Sequence, residues 1–129
     1  MEGEHFDINT DAARNLLRVT MRGHWTLDTV EAYKKAVLSA VSGMLAAGCR
    51  RGDVLAFVDA RDLSAQSQDA VADYKASMDR DGLLPRRLAT LVSSALFKRQ
   101  VERIAIPNQR LFSDEASALA WLTSPDSEN

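Results

Sequence analysis

The sequence predicts a single α/β domain: an N-terminal β-hairpin followed by repeated β-α units, forming a largely parallel five-stranded sheet with four helices. Three observations carry this. Residues 4–9 and 16–22 alternate polar and apolar, as two half-buried strands do. Residues 53–59, Asp-Val-Leu-Ala-Phe-Val-Asp, are apolar on both parities, which suits a central strand covered on both sides. From there, apolar runs alternate with stretches of helical period, and strands separated by single helices imply parallel neighbours joined by crossovers.

Each element has its own signal. In the hairpin, Thr10 to Asn15 is the polar turn. Pairing positions that sum to 25 sets Phe6 against Val19 and Ile8 against Leu17 on the inner face. The same register sets Asp7 against Arg18 as an opposite-charge pair on the outer face. Gly23-His24-Trp25-Thr26 ends the hairpin, and Asp28-Thr29-Val30-Glu31 reads as a capping box. Val30, Tyr33, Val37, Val41, Met44 and Leu45 repeat at helical spacing, Glu31 and Lys35 form an i,i+4 pair, and Gly48 stops the helix. After the central strand comes a polar link, Ser64 to Gln68. A second helix then turns Val71, Tyr74 and Met78 inward. Leu88–Val92 is the next strand. Ser93 or Ser94 caps a third helix that buries Phe97, Val101 and Ile104 and ends at Pro107. Arg110–Phe112 is the last strand, and Ser113, with Asp114 and Glu115 in the first turn, opens the last helix. The domain is expected to span 1–123, with 124–129 a disordered polar tail.

Composition excludes several classes. At 129 residues the chain has the length of one ordinary domain, and 46% hydrophobic with 26% charged residues is the globular norm. The net charge of −2 gives no global reason to expect nucleic acid. No apolar run is long enough for a transmembrane segment. Met1-Glu2-Gly3-Glu4-His5 is acidic and lacks the core of a signal peptide, so a cytoplasmic protein is expected. Cys49 is the sole cysteine and His5 and His24 the only histidines, too thin a supply of soft ligands for a structural zinc site. Arg50 and Arg51 beside Cys49 would favour a thiolate, but a lone cysteine after a helix reads first as a small packing residue. No metal and no cofactor is expected.

The order of elements, together with Asn15-Leu-Leu-Arg-Val19, Gly23-His-Trp-Thr26, Phe57-Val-Asp-Ala-Arg-Asp62 and Arg110-Leu-Phe-Ser-Asp-Glu-Ala116 followed by Ala120-Trp-Leu122, resembles the SpoIIAA-like branch of the STAS-like superfamily. The resemblance covers about residues 5–122. It implies the anti-sigma-factor-antagonist fold, whose antagonists are bound and phosphorylated by a partner kinase. That architecture is also similar to CRAL-TRIO lipid-binding domains. One departure matters. The antagonists carry an Asp-Ser-Ser/Thr-Gly phosphoacceptor after the central strand, whereas the corresponding stretch here is Ser67-Gln68-Asp69-Ala70. Asp69 puts a fixed negative charge where a phosphate would arrive, so a phosphoserine switch is not expected.

The chain carries no phosphate-binding glycine loop and no nucleophile elbow. Asp59, Arg61 and Asp62 cluster at the C-terminal end of the central strand, where open α/β sheets place ligands. With no histidine or metal ligands beside them, Arg61 reads as a member of ordinary ion pairs, and no catalytic residue is expected. Ser93-Ser94, with Lys98 and Arg99 a turn away, can cradle an anion, although N-capping is the simpler reading. Charge is segregated along the chain. Residues 53–81 hold seven acids against Arg61, Lys75 and Arg80, net −4, whereas residues 86–110 hold six bases against Glu102, net +5. This reads either as solvated helix faces or as a binding surface, one end of a self-complementary homodimer included.

A non-enzymatic interaction module with an unknown protein partner is therefore the leading expectation. Asp62, Ser64, Ser67 and Asp69 are the first partner-binding candidates, and Lys98, Arg99 and Arg103 form a second surface. The alternative is a lipid or other hydrophobic ligand held by Trp25, Tyr33, Met44, Tyr74 and Met78, residues whose spacing equally suits a core.

Overall fold

This computed structural model describes residues 5–63, 72, 76, 85–93, 95–104, 106 and 108–124. The strands are β1 (Phe6–Asp11), β2 (Leu16–Gly23), β3 (Leu55–Leu63), β4 (Arg87–Leu91) and β5 (Gln109–Phe112). The helices among the described residues are α1 (Leu27–Ala46), α2 (Ala95–Ile104) and α3 (Glu115–Leu122). The five strands lie side by side in chain order. β1 is antiparallel to β2, and β2 through β5 are mutually parallel. The described residues hold three helices where the sequence predicts four. The expected second helix, with Val71, Tyr74 and Met78, falls outside the described residues, although Ala72 and Ala76 within that stretch are helical.

The hairpin pairs in a different register from the expected one. Phe6 faces Met21, Asp7 faces Thr20 and Ile8 faces Val19, so each β1 residue meets a partner two residues later on β2. The reason lies in the turn. β1 runs on through Thr10 and Asp11, and only Ala12–Asn15 connect the strands. Asn15 closes that connection at φ 57, its N–H donating to the Ala12 carbonyl at 3.2 Å. An even shift keeps every side chain on its own face, so Ile8, Leu17, Val19 and Met21 still reach one core. The cross-strand ion pair does change. Asp7 is held by Arg22, not by Arg18, through two bonds of 2.9 and 3.2 Å.

The sheet has a helix on each face. Ala56 and Val58 of β3 and Leu88 of β4 pack on Val30, Val37, Val41 and Met44 of α1 and on Val101 of α2. The opposite parity, Leu55, Phe57, Ala89 and Leu91, packs on Ala118 and Leu122 of α3. Met44, Leu88, Leu91 and Leu122 are each under 2% exposed. Complete burial of such side chains contributes about 1.5–3 kcal/mol apiece. Of the three residues expected to anchor the helix before β5, Val101 is buried, and the side chains of Phe97 and Ile104 lie outside the described set.

Two asparagines start two of the three parallel ladders. Asn15 and Asn108 adopt φ 57 and φ 66, and each immediately precedes a strand. The Asn15 carbonyl accepts from Leu55 N–H at 2.7 Å, and the Asn108 carbonyl accepts from Leu88 N–H at 2.9 Å. A left-handed residue at each strand entry thus turns its own carbonyl toward the neighbouring strand. Asparagine tolerates that conformation better than other residues with a Cβ.

Two helix starts differ from expectation. The N-cap of α1 is Thr26, whose Oγ1 accepts from Thr29 N–H at 3.3 Å, so Asp28 lies in the first turn and does not act as the cap. The N-cap of α3 is Asp114 and not Ser113; its Oδ2 accepts from Ser117 N–H at 2.8 Å. In both, the capping side chain precedes helical backbone by one residue, and local pattern alone does not separate neighbouring candidates of the same type. Glu31 makes its ion pair with Lys34 at 3.3 Å, one residue short of the expected Lys35. Gly48, at φ 108, stops α1 as expected: Cys49 N–H bonds the Met44 carbonyl and Gly48 N–H the Leu45 carbonyl, a Schellman pair.

Thr26→Ala should therefore lower stability by about 1 kcal/mol and Asp28→Ala by less. Asn15→Ala should cost about 1–2 kcal/mol while Asn15→Gly is tolerated. Urea denaturation of the four variants measures both pairs.

Candidate functional site

The central strand changes character halfway along. Leu55, Ala56, Phe57 and Val58 are buried, Arg61 and Asp62 are exposed, and Leu63 is buried again. The expected strand stopped at Asp59. The observed one continues because a β-bulge lets it. Thr20 pairs with Asp59, yet Arg22 pairs with Asp62, so three steps on β3 oppose two on β2. Ala60 and Leu63 consequently share the α1 core although they are three residues apart.

Asp59 locks this bulge. Its Oδ1 accepts the backbone N–H of Arg61 at 3.1 Å and the Arg61 Nε–H at 2.9 Å, and its Oδ2 accepts from Nη2 at 2.8 Å. The Arg61 side chain is the main reason the Asp59 carboxyl lies below its ordinary value near 3.8, with the backbone bond adding to it against partial burial. In return Asp59 holds the guanidinium above its ordinary value. Ser93, just past β4, donates its hydroxyl to the Arg61 carbonyl at 2.9 Å. Three segments thus converge at the C-terminal ends of β2, β3 and β4, the usual ligand-facing end of an open parallel sheet.

A second ionic strap crosses the nearby sheet face. Arg18 lies 5.0 Å above the Phe57 ring and bonds Glu115 at 3.1 Å, tying β2 to the first turn of α3. With Asp7–Arg22 beside it, the part of this face over β1 and β2 carries matched charges.

The structure brings some of the sequence candidates together. Asp62 is exposed on β3 opposite Arg22. Ser64, Ser67 and Asp69 lie outside the described residues, as do Ser94, Tyr74 and Met78. Lys98 and Arg99 are exposed on α2, whose backbone includes Arg103; that side chain lies outside the described set. Trp25 and Tyr33 meet at 5.0 Å between ring centroids, and Phe6 closes the trio at 5.9 and 5.5 Å. The Trp25 indole N–H donates to the Arg22 carbonyl at 3.1 Å. Met44, also buried, sits eleven residues further along α1 than Tyr33, about 16 Å away along the axis, and does not join that trio. Cys49 is half-buried, its thiol donating to the Ala12 carbonyl at 3.4 Å, a packing position beneath the hairpin turn. Among the described residues no three His, Cys, Asp or Glu side chains group as metal ligands do.

No known family model matches the chain, and no curated protein matches it. Among solved structures, it is similar to an uncharacterized protein from the DUF3478 family with a SpoIIAA-like fold, from Shewanella loihica PV-4. The similarity covers 95% of this chain and 98% of that one, at a TM-score of 0.68 and 22% identity. The chain has a SpoIIAA-like fold. In this SpoIIAA-like domain, the bulged end of β3 exposes Arg61 and Asp62 beside the Asp59–Arg61 ion pair, with Ser93 from the end of β4 bonded to the same backbone.

The Asp59 lock has a pH signature. Because the folded-state pKa is depressed, its contribution to stability is complete above the unfolded value and is lost as pH falls through the folded one. Wild type should lose stability as pH is lowered from neutral to well below the ordinary carboxylate value near 3.8, and Asp59→Asn should lose less over that interval. Urea midpoints at the two pH values measure the difference.

Proposed function

We propose that this SpoIIAA-like domain is a non-enzymatic interaction module that binds a protein partner through the bulged end of β3, without a phosphoserine switch. The observation that carries this reading is the Asp59 lock, which fixes the backbone of an exposed, charged strand end. Arg61 and Asp62 stand out from a segment whose flanking residues, Ala60 and Leu63, are anchored in the core. A rigid base with exposed charges suits recognition, where complementary charge sets association rate and partner choice more than raw affinity. Among the described residues no three His, Cys, Asp or Glu side chains group as metal ligands do, and the Asp59 carboxylate is already engaged by Arg61, which favours binding over turnover. Trp25, Tyr33 and Met44 spend their apolar surface on the core, which favours a protein partner over an apolar ligand. The sequence replacement of the phosphoacceptor by Ser67-Gln68-Asp69-Ala70 supports recognition by fixed charge.

Charge reversal tests this. In proximity crosslinking from the native cells, wild type should capture a partner that the Asp62→Lys, Asp69→Lys double variant loses, while circular dichroism shows the variant folded. Undiminished capture rejects this surface and points instead to α2 with Lys98, Arg99 and Arg103. Native mass spectrometry that finds a stoichiometric hydrophobe on the purified protein would favour the apolar-ligand alternative.

A further inference from the structure

Strand β5 is the last strand of the sheet. The carbonyls of Asn108 and Phe112 accept from Leu88 and Val92 N–H at 2.9 and 3.0 Å, so residues of that parity, Arg110 included, direct their main-chain groups to β4. Gln109 and Leu111 have the other parity and direct theirs away from β4, where no strand pairs among the described residues. On the α3 face of the same strand, Phe112 packs 5.7 Å from the Trp121 ring. Arg110 and Arg87 stack over that indole at 5.7 and 5.3 Å. Arg87 is also tied to Ser124, donating to its Oγ at 2.8 Å. Arg110 is exposed, and among the described residues no carboxylate lies within ion-pair distance of it. Arg18, Arg22 and Arg61 each meet one.

We propose that the outer side of β5, with the Arg110–Trp121 platform beside it, docks an extended acidic segment of a partner protein. The partner's main chain adds beside Gln109 and Leu111, and one of its carboxylates accepts the two parallel N–H bonds of Arg110. Strand addition supplies affinity through main-chain bonds and specificity through alternate side chains. A guanidinium held over an indole keeps its full charge and its forked donors, which suit a carboxylate. Charge selects an acidic partner, since two guanidinium groups, Arg87 and Arg110, lie over the same Trp121 ring. Tryptophan and arginine are also the residue types that dominate binding energy at protein interfaces. This surface shares no residue with the bulged end of β3. Arg87 begins β4 beside Leu55, whereas Asp59 lies beside Leu91 at the other end.

Tryptophan fluorescence of the full chain tests the proposal. Trp25 is 4% exposed and Trp121 half-buried, so a ligand at this surface is reported by Trp121. Titration with an oligoglutamate peptide should change the emission saturably and more weakly at high salt. Arg110→Gln should reduce the affinity about tenfold, with Arg110→Lys intermediate, because lysine keeps the charge but not the fork. A Glu-Pro-Pro repeat peptide, which in every register turns prolines toward β5 and so lacks most of the main-chain donors, should bind less well. The Asp62→Lys, Asp69→Lys variant should bind as wild type does, which separates this surface from the one proposed above. No emission change with oligoglutamate, or equal affinity in Arg110→Gln, overturns the proposal. Equal affinity for the Glu-Pro-Pro peptide overturns the strand addition. Binding of oligothymidylate as tight as oligoglutamate overturns the choice of a protein partner.

Discussion

The alternation of side chains along β3 constrains everything around it. A strand between two helical layers must send odd positions one way and even positions the other, and a single extra residue exchanges them. Up to Asp59, β3 obeys that parity: Ala56 and Val58 face α1, and Leu55 and Phe57 face α3. Were it to continue unbroken, Leu63 would follow Leu55 and Phe57 onto the α3 face. The bulge returns it to the α1 core. A bulge leaves a backbone N–H without its ladder partner, and Asp59 supplies an acceptor to the Arg61 amide through its own side chain. One carboxylate thereby serves both the core packing of Leu63 and the exposure of Arg61.

The two sheet faces divide the work. The α1 face is apolar across the sheet, from Ile8 on β1 to Leu88 on β4, and an α1 of 20 residues, about 30 Å, is long enough to cover it. The α3 face is apolar only beneath a helix of 8 residues. Beyond that short cover, β1 and β2 present Asp7, Arg22 and Arg18, each engaged with an opposite charge. Exposed pairs of this kind contribute little to stability. They let a sheet face meet water without presenting an apolar patch.

Much of this architecture was legible in the sequence, and the misses share a cause. Periodicity located β1, β2, α1, β3 and β4 because each buries a face that repeats along the chain. The double-sided apolar run at Val54–Val58 correctly marked the middle strand of the sheet. What periodicity cannot supply is register. The hairpin pairing depends on whether Asn15 takes the left-handed conformation, and composition does not distinguish the four-residue connection from the longer turn. The extension of β3 through Leu63 was hidden for a related reason: a bulge breaks the very alternation by which strands are recognised. At the candidate site, Asp59, Arg61 and Asp62 stood out as charges ending an apolar strand, but the Asp59 bond to a main-chain N–H has no sequence signature. Ser93 and Ser94 equally suit a cap by local pattern, and the Ser93 bond to Arg61 spans 32 residues, a separation no local pattern reports. Trp121 and Arg110 were visible only as separate residues, since β5 and α3 place them together.

The division of labour within Asp59 bears on how a partner would be bound. Its Oδ1 holds both the Arg61 amide and the Arg61 side chain, while Oδ2 holds the side chain alone. The amide bond is part of the bulge and persists as long as β3 keeps its geometry. The guanidinium bonds lie at an exposed position, where water already competes and screening is strong. A partner carboxylate can therefore take over the guanidinium while the amide bond keeps the strand end in place. Recognition then requires no rearrangement of the fold, only an exchange of one exposed ion pair for another. The net gain from such an exchange is small in itself. It becomes useful when the new pair is shielded by the interface and when Asp62 one residue on meets a complementary charge, so that the partner is chosen by the sign pattern of the strand end.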